Sequence, residues 1–177
     1  MPVLVNGASG GIGSAMVQIL RQRGVNITAV CSGKNLERVR ALGADRVINY
    51  EQEDFTLLGE QFDCIFDAVG KSTFGKCRHL LKPKGCYQSS EPGPWGQNLF
   101  LPLITAPWGG RHAIFPIPVD IQGSIAFISG MLSQGTFKPV IDRTYPLVKI
   151  GEAYAYVMTG QKTGNVVITI EQEKDVT

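Results

Sequence analysis

Eight consecutive residues, Asn6-Gly7-Ala8-Ser9-Gly10-Gly11-Ile12-Gly13, carry the clearest chemistry in this chain. Glycines tolerate the backbone angles of a tight turn, and Gly10 and Gly11 leave no side chain between the backbone and a ligand. Gly13 lets a following helix pack close to the preceding strand. The run lies between an apolar stretch, Val3-Leu4-Val5, and a segment of helical periodicity. A helix that starts here turns its free N–H groups and positive dipole end outward, which suits a pyrophosphate. A glycine motif is informative when a strand precedes it and a helix follows, and both are predicted here.

The next position of interest lies about 20 residues further on, at the end of the second predicted strand. A sheet that prefers NAD places Asp or Glu there to bond the ribose 2′-hydroxyl. This chain has Cys31-Ser32-Gly33-Lys34, and its first carboxylate after that strand is Glu37, inside a helix. Ser32 can donate a hydrogen bond and Lys34 brings positive charge, both suited to a 2′-phosphate. The expected cofactor is therefore NADP(H). A solvated lysine at a helix start is the competing reading of Lys34.

Other reactive side chains are less organised. Cys31, Cys64, Cys77 and Cys86 show no C-x-x-C spacing, and His79 and His112 are isolated, so no metal site is expected. Cys31, Cys64 and Cys86 lie in apolar runs and read as small core residues in a reducing compartment. Read as Gly7-x-x-x-Gly11-x-Gly13, the turn also resembles that of short-chain dehydrogenases. Tyr145-Pro146-Leu147-Val148-Lys149 then has the spacing of a catalytic Tyr-x-x-x-Lys, with Ser133 upstream. Pro146 disfavours helix at Tyr145, so the two side chains should not share a helix face. After the fourth strand stands Asp67-Ala68-Val69-Gly70, not the Asn-Asn-Ala-Gly usual in that family.

The elements that position these residues alternate. Ile12, Ala15, Met16, Ile19 and Leu20 mark one face of a helix over 12–23, stopped by Gly24. Strands are expected over 25–30, 46–50, 63–67 and 85–88, and a helix over 35–42. Continuous apolar strands separated by amphipathic helices predict an α/β fold: a doubly wound, parallel, six-stranded sheet, the Rossmann fold. The sixth strand is expected over 111–119 and a helix over 121–134. An extended segment over 138–142, a helix over 150–159 and a strand over 165–170 form a C-terminal helix–strand appendage, and the polar tail 171–177 is expected to fray. The division is then residues 1–136 for the nucleotide-binding domain and 137–177 for the C-terminal segment.

Composition excludes several classes. Of 177 residues, 44% are hydrophobic and 18% charged, which argues against a disordered chain. A net charge of +2 is too balanced for a nucleic-acid binder that works by neutralising phosphates. The longest apolar runs are cut by prolines and glycines, so no membrane span is expected. Met1-Pro2-Val3-Leu4-Val5 leads straight into a strand without a basic, apolar leader, which predicts a cytoplasmic protein, or a matrix protein if an upstream targeting segment is missing. From Pro92 to Phe137 the only charged side chains are Arg111 and Asp120, and both tryptophans, Trp95 and Trp108, lie there. That stretch reads either as core and loop or, in part, as a surface that faces another subunit, a substrate or a missing domain.

Taken in order, several stretches resemble the cofactor-binding part of medium-chain dehydrogenases/reductases, in the zinc-free, quinone-oxidoreductase-like branch. They are Val5 to Gly13 (with the turn read as Ala8-x-Gly10-x-x-Gly13), Ala41 to Tyr50, Phe62 to Gly70, Lys138 to Asp142 and Gly160 to Val167. The resemblance implies an NADPH-dependent reductase that passes hydride from nicotinamide C4 to a quinone, enone or similar activated carbonyl. It implies pyrophosphate contacts at Ser9, Gly10, Gly11, Ile12 and Gly13, and 2′-phosphate contacts at Ser32, Lys34 and Tyr50. It further implies Val69 and Gly70 beside the adenine-side ribose, and Phe115 and Ile117 near the nicotinamide. No catalytic acid, base or nucleophile is implied. Relatives pair through the sixth strand, so a homodimer is expected. Family chains carry a GroES-like substrate domain ahead of the glycine turn, and this chain begins at the turn's own strand. The expectation is a fragment, inactive without that domain; a non-catalytic NADPH-binding or interaction module is the alternative. Asn165 stands where the family's terminal Gly-Lys-Val-Val usually has lysine.

Overall fold

The structure, a computed structural model, describes residues 1–170. The expected fraying of 171–177 lies outside the described residues. Six strands form one parallel sheet: β1 (Pro2–Asn6), β2 (Asn26–Cys31), β3 (Arg46–Asn49), β4 (Phe62–Asp67), β5 (Leu81–Ser89) and β6 (His112–Ile114). Their order is β3-β2-β1-β4-β5-β6. It reverses between β1 and β4, where doubly wound sheets open a crevice at the strands' C-terminal ends.

The central strand β1 carries apolar residues on both faces because both are covered. In β1, Val3 and Val5 join one core with Val17, Leu20, Ile27, Ala29 and Val39. Leu4, between them, joins the opposite core with Val30, Ile48, Phe62, Ile65 and Tyr87. Side chains that alternate across the pleat supply both layers. Helix α1 (Gly11–Gln22) packs against β1 and β2 and ends at Gly24, in the left-handed region (φ +64°). Helix α2 (Leu36–Ala41) packs against β3.

Several boundaries differ from the sequence reading. β5 starts at Leu81 rather than Gly85, because a register irregularity between Phe62 and Cys64 lets Leu81 pair with Phe62 before Cys86 pairs with Cys64. Helices α3 (Phe74–Cys77) and α4 (Gln97–Thr105) were not anticipated; the first has four residues and the second contains Pro102. β6 is three residues long, not nine. Pro116 and Pro118 have no N–H to donate to a ladder, so the strand stops before them. Helix α5 (Ile121–Ser133) starts where Asp120 accepts a bond from the Gly123 N–H at 2.8 Å.

The C-terminal part holds a second, two-stranded parallel sheet: β7 (Ile141–Pro146) and β8 (Asn165–Thr169), joined through helix α6 (Ile150–Met158). The extended segment therefore runs to Pro146, beyond the expected Asp142. Tyr145 is in a strand, and Lys149 lies in the turn ahead of α6 and pairs with Glu152. They do not share a helix face, which removes the short-chain dehydrogenase arrangement.

Candidate functional site

The strand-to-helix bend is built as its glycines require. Gly7 has φ +80°, and a Cβ on it would lie 1.9 Å from Val69 Cγ2. A Cβ on Gly13 would lie 2.2 Å from the Gly7 carbonyl oxygen, so α1 can sit this close to β1 only with glycine there. Gly7 and Ala8 donate their N–H groups to Val30 O, and Gly10 donates to Gly7 O. The first helical bond is from Ser14 N–H to Gly10 O. The N–H groups of Ile12 and Gly13 have no partner among the described residues, and no side chain caps the helix. Unpaired donors at a helix start are an anion-binding arrangement.

Asn6 and Asp67 face each other across the switch point at the ends of β1 and β4. Asp67 is 1% exposed, and its carboxylate accepts five hydrogen bonds: from Asn6 Nδ2, the N–H groups of Val69, Gly70 and Ser72, and the Tyr87 hydroxyl, at 2.9 to 3.1 Å. It caps the turn after β4 rather than reaching toward a ligand. Burial, together with the Asp67 carboxylate, pushes the Tyr87 hydroxyl's pKa well above its usual value, so Tyr87 stays a proton donor.

In front of this bend lies a cleft of about 1580 Å³. Ser9, Gly10, Gly11, Ile12, Ser32, Lys34, Tyr50 and Val69 line it, eight of the twelve residues expected from sequence. Gly13 and Gly70 stand behind the lining, and Gly70 takes φ +70°. Phe115 and Ile117 do not line it. They follow the shortened β6, where Phe115 is half-buried and Ile117 is 72% exposed. Tyr50 is 58% exposed at the cleft wall, so it does not plug the core. Ser32 is buried, and its Oγ accepts from Asn35 Nδ2 at 2.9 Å.

The far wall comes from the loop between α6 and β8. Gly164 donates to Ser9 O at 2.7 Å and bridges to Gly10, and Thr163 Oγ1 donates to Asn35 Oδ1 at 3.1 Å. Lys34 Nζ donates to Gln161 O at 3.0 Å. Asp142 anchors this loop, accepting from Thr163 N–H and the Tyr156 hydroxyl, both at 2.7 Å. Burial alone would raise the Asp142 pKa, but the Thr163, Tyr156 and Arg143 contacts together hold it below its usual value. Gln161, Lys162 and Asn165 thus line the cleft, although sequence reading named none of them as site residues.

One residue corrects the sequence reading directly. A carboxylate does stand at the end of β2, but it comes from the turn after β3. The register pairs Cys31 with Asn49, which sets Glu51 beside Gly33, and Glu51 Oε2 accepts the Gly33 N–H at 3.0 Å. Only strand pairing could have revealed it. The cysteines are all free; burial pushes the Cys31 and Cys77 thiols up to about 11, leaving them protonated and poorly nucleophilic. Among the described residues no cluster of three or more His, Cys, Asp or Glu could hold a metal ion.

A doubly wound sheet with a glycine turn under a long open cleft defines a dinucleotide-binding domain. Residues 42–168 match the family described as zinc-binding dehydrogenase, and the chain belongs to that family. Within it, the chain corresponds to the cofactor-binding domain of quinone-oxidoreductase-like medium-chain dehydrogenases/reductases. It is 27% identical over 171 residues to the chloroplastic quinone-oxidoreductase QR1 of Triphysaria versicolor, covering 94% of this chain and 51% of that protein. It is 30% identical over 188 residues to the mitochondrial NAD(P)H oxidoreductase RTN4IP1 of Mus musculus, covering 94% and 47%. The fold superposes on the quinone oxidoreductase from Coxiella burnetii with a TM-score of 0.84 at 24% identity, covering 96% of this chain and 53% of that one. The chain thus spans about half the length of the relatives it matches.

Proposed function

We propose that this chain is the NADPH-binding domain of an oxidoreductase that reduces a quinone, enone or similar activated carbonyl. The observation that carries the reading is the cleft itself. Unpaired N–H groups at the start of α1 open toward a space lined by glycine backbone, with Ser32, Lys34 and Tyr50 at its adenosine end. The residues fit a dinucleotide: Gly10 and Gly11 offer bare backbone at the bend, with the Asn165 side chain close beside Gly11, and the volume is ample for it. Bound there, the cofactor supplies the hydride. The chain's own residues hold and orient it: Ser9, Gly10, Gly11 and Ile12 at the pyrophosphate, Gly13 by keeping α1 close, and Val69 and Gly70 beside the ribose. Direct hydride transfer depends on positioning and water exclusion more than on a titrating side chain.

The relatives named above as quinone and NAD(P)H oxidoreductases support the reading. Calorimetric titration of the 177-residue chain with NADPH should show saturable one-to-one binding, and no heat with either NADPH or NADH would rule out the dinucleotide reading. Oxidation of NADPH with quinone acceptors by the chain joined to a substrate domain then tests the reaction class.

We further propose that the protein forms a homodimer through the open edge at β6 and works in the cytoplasm or a matrix. Among the described residues no helix is long and apolar enough to cross a membrane. Sedimentation at micromolar concentration should give a dimer mass; a strict monomer would remove that part.

A further inference from the structure

The adenosine end of the cleft holds opposed charges. Lys34 is the cation expected to favour a 2′-phosphate, but its ammonium donates to the Gln161 carbonyl at 3.0 Å. The backbone donor beside it, the Gly33 N–H, is held by Glu51 Oε2 at 3.0 Å. The backbone that carries Glu51 is held: its N–H donates to Asn49 Oδ1 at 3.1 Å in a tight turn, and Tyr50 before it donates its N–H to Cys31 O at 3.1 Å. The fit is close, since a Cβ on Gly33 would meet Glu51 Oε2 at 3.0 Å and Asn49 Nδ2 at 2.9 Å. Ser32, Lys34, Tyr50 and Glu51 all line the same cleft.

We infer that Glu51 is a specificity-determining residue which sets its carboxylate against the 2′-phosphate of a bound dinucleotide and offers an acceptor to an unphosphorylated 2′-hydroxyl. The inference rests on the dinucleotide reading above. A 2′-phosphate that takes the Gly33 N–H must displace a carboxylate and then sit beside its charge. A 2′-hydroxyl meets no such cost, because it can donate to the same oxygen. An acidic residue at the end of β2 plays that part in NAD-preferring sheets; here the turn after β3 delivers it through the Cys31–Asn49 register. Lys34 and Glu51 therefore pull in opposite directions, and the site accepts both NADPH and NADH with a narrow preference.

The test is calorimetric titration of the chain and two variants, Glu51→Gln and Lys34→Met, with NADPH and NADH. Glutamine keeps the size and can still accept the Gly33 N–H, so the fold is expected to be preserved, and thermal unfolding without ligand checks this. Glu51→Gln is expected to tighten NADPH by about tenfold at low salt, with NADH unchanged or weaker. Lys34→Met is expected to weaken NADPH alone. If Glu51→Gln leaves the NADPH-to-NADH ratio of affinities unchanged while both still bind, the role of Glu51 is overturned and the dinucleotide reading stands. If neither cofactor binds the parent chain, the dinucleotide reading falls and this inference with it.

Discussion

The two ends of the main sheet solve the burial of apolar residues in opposite ways. From β3 to β5, strands are sandwiched between two layers and their apolar residues are almost fully covered. Around α4, β6 and α5, equally apolar sequence lies at the surface: Leu103 is 74% exposed, Val119 is 92% exposed, and Phe100, Ile104 and Ile125 stand open nearby. The near absence of charge from Pro92 to Phe137 is thus not a sign of core. A hydrophobic sequence is buried only where a second layer exists to cover it. The same contrast holds for polar groups. The enclosed half buries Asp67 with five donors, whereas the polar groups of α5 are satisfied locally at the surface.

The strongest way to break this contrast is Asp67→Ala. It would leave the Asn6 amide, the Tyr87 hydroxyl and three N–H groups without their acceptor in a dry site. The expected loss is about 3–5 kcal/mol in urea unfolding, with Asp67→Asn costing less. A loss below about 1 kcal/mol would mean that water reaches this site and that the enclosed half is not dry. The weakest effect is expected at the other end. Leu103→Ser should change stability by less than about 0.5 kcal/mol, because little area leaves water there when the isolated chain folds. A loss comparable to that of a core leucine would show that α4 is covered in solution, and the contrast would then reflect a missing neighbour rather than the fold.

Legibility in the sequence followed the same divide. The strands from β1 to β4 could be read because each holds a short apolar stretch between turn or helix signals, and α1 because its apolar face repeats at helical spacing. The glycine turn was legible because Gly7 and Gly13 meet backbone or side chain at distances no Cβ can occupy. α3 left too short a pattern, and Pro102 masked α4. β6 was overextended because Phe115, Ile117 and Val119 alternate like a strand, while the prolines between them forbid one. Ser32 and Lys34 follow from position along the chain and Tyr50 from the family resemblance, and all three line the cleft. Glu51 follows from neither, because its role exists only once β2 and β3 are paired in register. Gln161 and Asn165 were out of reach for a similar reason: contacts between the chain's two ends leave no local signal.

The Gly10–Gly164 bridge has a consequence for biosynthesis. The glycine bend leaves the ribosome well before the loop that walls its ligand space, because Gly10 and Gly164 lie far apart in the chain. A nascent chain can therefore assemble most of its sheet while the ligand space stays open on one side, and full enclosure of a bound molecule must wait until the segment around Gly164 has been made.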